Sequence, residues 1–368
     1  MKDLRDKVAF ITGGASGLGL GMAKAFGREG MKVMIADIEQ AALTRAVQEL
    51  RDSQVRAEGV ICDVASRGSL REAALKTIAA FGKVHVVCNN AGVAVGGPLG
   101  SVAERDWEWV MDVNLMGVVY GTEVFAPLIE SHGEGGHFVN TASMAGMLGF
   151  PNAEPYCATK FAVVAMSEGW AGQLAPKNIG VSVLCPGFVQ TRIHESFRNK
   201  PARYGAPEPS PIGVGQTLAD TAAMVMAGMP TEPVGNRVVE AIKDNDLYIF
   251  THTEFRPMVQ MRFANIMAAF DKSEKSKALS ALPKRDVTPL PQAPAQWPSS
   301  PGTGGCPPGS RSVLQPSISA LGRRACANLA SSVARRIQAL ASQIARSSAS
   351  RAEARPRVGR EPRSEVRS

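Results

Sequence analysis

Residues 8–19 read V-A-F-I-T-G-G-A-S-G-L-G, and the run that follows places Met22, Ala23, Ala25 and Phe26 at helical spacing. A β-branched strand that breaks into glycines and reopens as a helix is the arrangement a bound pyrophosphate requires. Gly13 permits the tight turn, Gly17 lets backbone approach the anion, Gly19 allows close helix–strand packing, and the helix N-terminus offers free N–H groups. Ser16 and Leu18 complete the loop and join the candidate cofactor set. The alternative is a flexible glycine loop with no ligand, and the flanking strand and helix weigh against it. Asp37 closes the next strand, K-V-M-I-A-D (32–37), where its carboxylate can accept hydrogen bonds from a ribose 2′-hydroxyl and repel a 2′-phosphate. That placement argues for NAD, although an aspartate at a strand end can also cap the following helix.

Outward from this unit, short β-branched runs alternate with amphipathic segments as far as residue 285. Strands are readable at 56–63, 84–89, 137–141, 181–185 and 247–250 in addition to the first two. The pattern predicts an α/β fold: a single Rossmann-type doubly wound parallel sheet of seven strands with helices on both faces. An apolar content of 45% is ample for its core. No stretch reaches about eighteen apolar residues and no leader pattern precedes the first strand, so a cytoplasmic protein is expected. The six cysteines, at 62, 88, 157, 185, 306 and 326, show no paired spacing and read as thiols, and no metal site is expected.

Charge divides the chain. Residues 1–285 carry 29 Lys+Arg and 29 Asp+Glu, while residues 286–368 carry 12 and 4, which is the whole net charge of +8. All 12 tail cations are arginine, amid Pro, Ala, Ser and Gly, a composition too poor in apolar surface to offset the entropy of ordering. The expectation is a catalytic domain over 1–285 and a disordered, low-complexity basic tail over 286–368. Within the tail, Leu329, Val333, Ile337, Leu340 and Ile344 form one helical stripe beside arginines, a pattern compatible with a polyanion or membrane-surface helix. From the catalytic domain itself no nucleic-acid or membrane partner is expected.

The chemistry sits between Ser143 and Lys160, S-M-A-G-M-L-G-F-P-N-A-E-P-Y-C-A-T-K. If Pro155 opens a helix, Tyr156 and Lys160 share one face four residues apart. A neighbouring ammonium favours the phenolate and would make Tyr156 usable as a general base. Taken alone, the pair could equally be an ordinary aromatic and an ordinary lysine on a helix.

The glycine spacing, C-D-V (62–64), N-N-A-G (89–92), V-N-L-M-G (113–117) and P-G-F-V-Q-T (186–191) together resemble the short-chain dehydrogenase/reductase family over residues 5–270. The resemblance implies that Asn114, Ser143, Tyr156 and Lys160 form the catalytic tetrad. It implies that Asp63 and Val64 contact adenine, and that Asn90, Ala91, Gly92, Pro186, Gly187, Val189 and Thr191 line the cofactor, with Tyr156 and Lys160 also touching it. In that scheme Tyr156 exchanges the hydroxyl proton as a hydride passes between NAD(H) and a CH–OH carbon. Ser143 holds the substrate oxygen, Lys160 lowers the Tyr156 pKa and holds the ribose, and Asn114 holds a water. A homo-tetramer or homo-dimer is implied as well.

The segment at about 191–235 reads as a lid. Phe188, Ile193, Phe197, Met224, Met226 and Met229 give its neighbourhood an adaptable apolar character suited to a hydrophobic or aromatic secondary alcohol or ketone. I-H-E-S-F-R-N-K-P-A-R-Y-G (193–205) and D-N-D-L-Y-I-F-T-H (244–252) resemble a subgroup that includes bacterial Cα-dehydrogenases of aryl glycerol ethers. The alternative, a non-catalytic dinucleotide sensor of the same fold, would have no need of four catalytic side chains together.

Overall fold

The computed structural model describes residues 1–208 and 217–280. The domain boundary near 285, the basic tail and residues 209–216 of the expected lid lie outside the described residues. The elements run β1 (Val8–Thr12), α1 (Gly17–Arg28), β2 (Lys32–Asp37), α2 (Gln40–Asp52), β3 (Ala57–Ile61), α3 (Arg67–Phe81), β4 (Val86–Asn89) and α4 (Glu104–Met111). They continue with α5 (Gly117–His132), β5 (Gly136–Thr141), α6 (Glu154–Leu174), β6 (Ile179–Cys185), α7 (Leu218–Met226), α8 (Thr231–Asp244), β7 (Tyr248–Phe250) and α9 (Arg256–Glu274). Each strand read from the sequence is present, the first two with the same ends and the others with ends that differ by one or two residues, the usual uncertainty where pairing frays.

All pairs in the sheet are parallel, in the order β3-β2-β1-β4-β5-β6-β7. Every residue of β1 is buried, as a central parallel strand covered on both faces must be. Alternate side chains supply the two layers. Ile11 and Ile35 pack with Met22, Phe26, Leu43, Val238 and Ile242 from α1, α2 and α8. Phe10 and Met34 face the other way, towards Leu70, Phe125 and Ile129 of α3 and α5, with the Phe10 and Phe125 rings 4.4 Å apart.

Helices α1 and α8 approach closely because glycines face each other there: a Cβ on Gly235 would lie 2.6 Å from the Gly21 carbonyl oxygen. Chain connection reverses direction between β1 and β4, where the sequence leaves one half of the sheet for the other. In open α/β sheets the crevice beyond the strand C-termini at such a reversal is the ligand-binding position.

Candidate active site

The glycine loop occupies that crevice. Gly13 and Gly17 have φ of +61° and +52°, a region that favours glycine. A Cβ on Gly19 would lie 2.1 Å from the Gly13 carbonyl oxygen, so the loop can close on the helix only with glycine there. The loop is held in place by two neighbours. Asp37 accepts from the Ala15 N–H through Oδ2 at 3.0 Å and from the Glu39 N–H through Oδ1 at 3.1 Å. Thr12 Oγ1 accepts from the Asn90 and Ala91 N–H groups, and Asn90 Nδ2 donates back to the Thr12 carbonyl at 2.9 Å. Burial pushes the Asp37 carboxyl above its ordinary range against these backbone hydrogen bonds.

A cavity of about 390 Å³ runs along the C-terminal edge of the strands. Gly13, Ser16, Gly17 and Leu18 line it, with Asp37, Asp63 and Val64 at one end. Asn90, Ala91 and Gly92 lie at its middle, and Ser143, Tyr156 and Lys160 meet Pro186, Gly187, Val189 and Thr191 at the other end. Gly19 and Asn114 are not part of its wall. Gly19 serves the packing just described, and Asn114 stands behind the wall, fully buried.

Pro155 stands in the first turn of α6, so Tyr156 and Lys160 project from that helix together, with Lys160 Nζ 5.4 Å from the Tyr156 ring centre. Lys160 is 3% exposed and donates to the Thr141 carbonyl at 2.8 Å. Burial lowers the Lys160 pKa to about 8. Burial also pushes the Tyr156 phenol up to about 12, and the hydrogen bond from Ser143 pulls it back only in part. The expected direction for Tyr156 is therefore corrected: in the protein alone desolvation by burial prevails. Ser143 Oγ also accepts from the Ala145 N–H at 3.1 Å, which fixes it at the start of a short 3₁₀ turn.

Asn114 lies in a single π turn, Asp112–Met116, between α4 and α5. Such turns shift a helix by one residue and are frequent at functional sites. Its amide nitrogen donates to the Val93 carbonyl at 2.9 Å and to Thr159 Oγ1 at 3.3 Å, while Oδ1 accepts from the Val93 N–H at 2.8 Å. Both amide protons are thus used, and one Oδ1 lone pair is all the side chain retains for a water. Asn114 ties the loop following β4 to α6 close beside Lys160: a Cβ on Gly92 would be 3.4 Å from Asn114 Oδ1 and 3.6 Å from Lys160 Nζ.

Beyond Ser143, Tyr156 and Lys160 the wall is apolar, with Trp109, Met144, Phe150, Phe188, Met224 and Phe255 among its residues. Ile193 lines it too, whereas Phe197, Met226 and Met229 do not. Met226 is 57% exposed, and Met229 packs on the core beneath α8.

Two features escaped the sequence reading. His252 accepts from the Gly187 N–H through Nδ1 at 3.0 Å, and its Nε2 lies 3.0 Å from the Phe188 carbonyl, so one ring clamps the turn after β6. Its only sequence signal was its place at the end of the 244–252 stretch. Arg198 arrives from the lid, lines the same cavity as Asp37 and pairs with Glu39 at 2.7 Å, a cation that the two loops adjoining Asp37 do not themselves supply.

Residues 7–202 match the family described as short chain dehydrogenase, and the chain belongs to that family. It is 35% identical over 274 residues to the CLA biosynthesis dehydrogenase/reductase of Lactiplantibacillus plantarum, covering 73% of this chain and 95% of that protein. It is 35% identical over 268 residues to a C alpha-dehydrogenase of Sphingobium sp., covering 73% and 87%. Among solved structures, a short chain dehydrogenase/reductase of Burkholderia phymatum in complex with NAD is 36% identical with a TM-score of 0.70, covering 73% of this chain and 97% of that one.

Proposed function

We propose that the chain is an NAD-dependent oxidoreductase that interconverts a hydrophobic or aromatic secondary alcohol and its ketone, with Tyr156 as the proton-transfer group. The observation that carries this reading is the convergence of the Ser143 and Tyr156 hydroxyls and the buried Lys160 on the apolar end of a cavity whose other end is the glycine loop. The cradle fits a dinucleotide: the glycines line the cavity where α1 begins, a helix N-terminus is suited to a pyrophosphate, and Asp37 lines the end where an adenosine ribose would be read. Gly13, Ser16, Gly17, Leu18, Asp37, Asp63, Val64, Asn90, Ala91, Gly92, Pro186, Gly187, Val189 and Thr191 would hold it. NAD bound there supplies the hydride acceptor and a positively charged ring.

The chain's own residues do the rest. Ser143 orients the substrate oxygen, and the Tyr156 oxygen takes its proton in oxidation or returns one in reduction. Lys160, kept in place by Thr141, offers its ammonium to the ribose and to the developing phenolate. The apolar wall excludes water and selects an apolar substrate. The name of the Sphingobium relative supports an alcohol oxidation of this kind.

The same reading covers a catalytic domain over 1–285 with its lid at about 191–235, a basic tail of separate character, a cytoplasmic location and a homo-oligomer. Among the described residues no helix is long and apolar enough to cross a membrane. On α9 none of the residues is buried, and Met261, Met267 and Phe270 are 66%, 59% and 63% exposed; on the edge strand the partly exposed Tyr248 and Phe250 stack on each other. An apolar surface of that extent supports burial against a second copy.

The test is a panel of secondary alcohols, benzylic ones included, with purified protein and NAD, following absorbance of the reduced cofactor. Turnover of an apolar member is expected. NAD binding without turnover of any member would favour the sensor instead.

A further inference from the structure

The chain leaving β6 does not stay on its own half of the sheet. Between Thr191 and Gly205 it crosses the mouth of the cavity and is fastened to the ends of β2 and β3, which lie beyond β5, β4 and β1 in the sheet order. The fastening is ionic. Arg198 donates to Glu39 Oε1 through Nε and Nη2 at 3.2 and 2.7 Å, and Asn199 Nδ2 donates to the same oxygen at 2.8 Å. Arg203 Nη2 donates to Asp63 Oδ2 at 2.7 Å and stacks on the Tyr204 ring. Burial works against the charge on Glu39, yet Asn199 and Arg198 hold its carboxyl below the ordinary range.

The crossing segment is anchored along its length. Ser196 Oγ accepts from the Ala94 N–H at 3.2 Å, Lys200 pairs with Asp106 at 2.6 Å, and Tyr204 donates to Asp112 at 2.7 Å. Glu39 and Asp63 follow the two strands whose ends frame the adenosine position, and Arg198, Asn199 and Arg203 line the same cavity as Asp37. The belt therefore spans the adenosine end of the groove, and not only the apolar end where a substrate would sit.

We propose that residues 192–203 form a gate over the adenosine end, latched by Arg198–Glu39 and Arg203–Asp63, which sets the rate at which the dinucleotide enters and leaves. The inference rests on the reading of the groove as an NAD site. A latch of this kind slows both directions of exchange, because the ion pairs must part before the cofactor passes either way. A side chain that merely touches bound cofactor would change the off-rate and the affinity together. The partly exposed pairs are also screened by salt.

The test is stopped-flow exchange. Protein loaded with NADH is chased with excess NAD while the bound-cofactor fluorescence is followed, and association is measured separately. Arg198→Ala and Arg203→Ala should each raise both the association and the dissociation rate, by roughly three- to tenfold, with a much smaller change in Kd. The charge-swapped pair Glu39→Arg with Arg198→Glu should restore slow exchange, and rising salt should speed exchange in the unaltered protein. Unchanged rates in both arginine variants and in salt, or an off-rate and Kd that rise by the same factor, would overturn the gate. Failure of the unaltered protein to bind NADH at all would instead sink the assignment of the groove.

Discussion

The two ends of the parallel sheet treat charge in opposite ways. At the N-terminal edge of the strands Glu134 collects Lys7, Lys83 and His85, and these hydrogen bonds hold its carboxyl far below the ordinary range. At the C-terminal edge Tyr156, Lys160 and Asp37 are all pushed by burial towards their uncharged forms. Carboxylate and amines meet their partners at one end, whereas at the other Tyr156, Lys160 and Asp37 have no ion pair among the described residues, although Glu39 and Asp63 close by are paired with the crossing segment. The first arrangement stabilises the fold. The second holds groups away from their preferred state, which a proton-transfer site requires and a structural site avoids.

The largest expected effect follows from the removal of the group proposed to transfer the proton. Tyr156→Phe should lower kcat by about a thousandfold while leaving NAD affinity near that of the unaltered protein, since the loss is confined to one oxygen. Paired kcat and NAD-binding measurements decide it, and substantial residual turnover would remove Tyr156 from the chemistry.

Asp37→Ala should shift the ratio of kcat/KM for NAD to that for NADP by roughly ten- to a hundredfold towards NADP, because a carboxylate next to a 2′-phosphate is repelled at surface-like dielectric. Since Asp37 also tethers Ala15, some loss with both cofactors is expected. An unaltered ratio would make Asp37 a loop tether alone.

Lys160→Met separates function from stability. Below about pH 8 the native lysine is charged and buried, a cost that fades as pH rises from about 8 towards the ordinary 10.5. The variant should therefore be inactive yet melt about 3 °C higher at neutral pH, with the gain vanishing above the ordinary lysine range. A lower melting temperature at neutral pH would show that the bond to Thr141 outweighs desolvation.

The smallest effect is expected at the other end. Glu134→Gln should lower the melting temperature without altering kcat. The depressed carboxyl contributes stability above the ordinary carboxylate range and loses it as pH falls, so the gap between the two proteins should close in acid. A gap that persists in acid would mean that shape, and not charge, matters there.

The sheet was legible because its strands are short β-branched runs and its crevice is marked by glycines, both local signals. The pairing of Tyr156 with Lys160 on one helix was legible through their spacing, one turn apart, whereas Asn114 and Ser143 were singled out only by the family resemblance. What the sequence could not show depends on distance in space. Arg198 meets Glu39 across 159 positions, and the π turn that aims Asn114 at Val93 has no composition of its own. The sign at Tyr156 was misread for the same reason: a lysine four residues away is visible in the sequence, whereas the enclosure that desolvates the phenol is built by β5, α6 and the turn after β6.

The most direct measurement is the titration of Tyr156 itself, by ¹³C NMR of ring-labelled tyrosine, with Tyr156→Phe assigning the signal among the four tyrosines. The phenol should stay protonated up to about 12 in the protein alone and ionise at distinctly lower pH with saturating NAD. A Tyr156 already ionised near neutral pH without NAD, or one whose titration NAD leaves unmoved, would contradict that expectation.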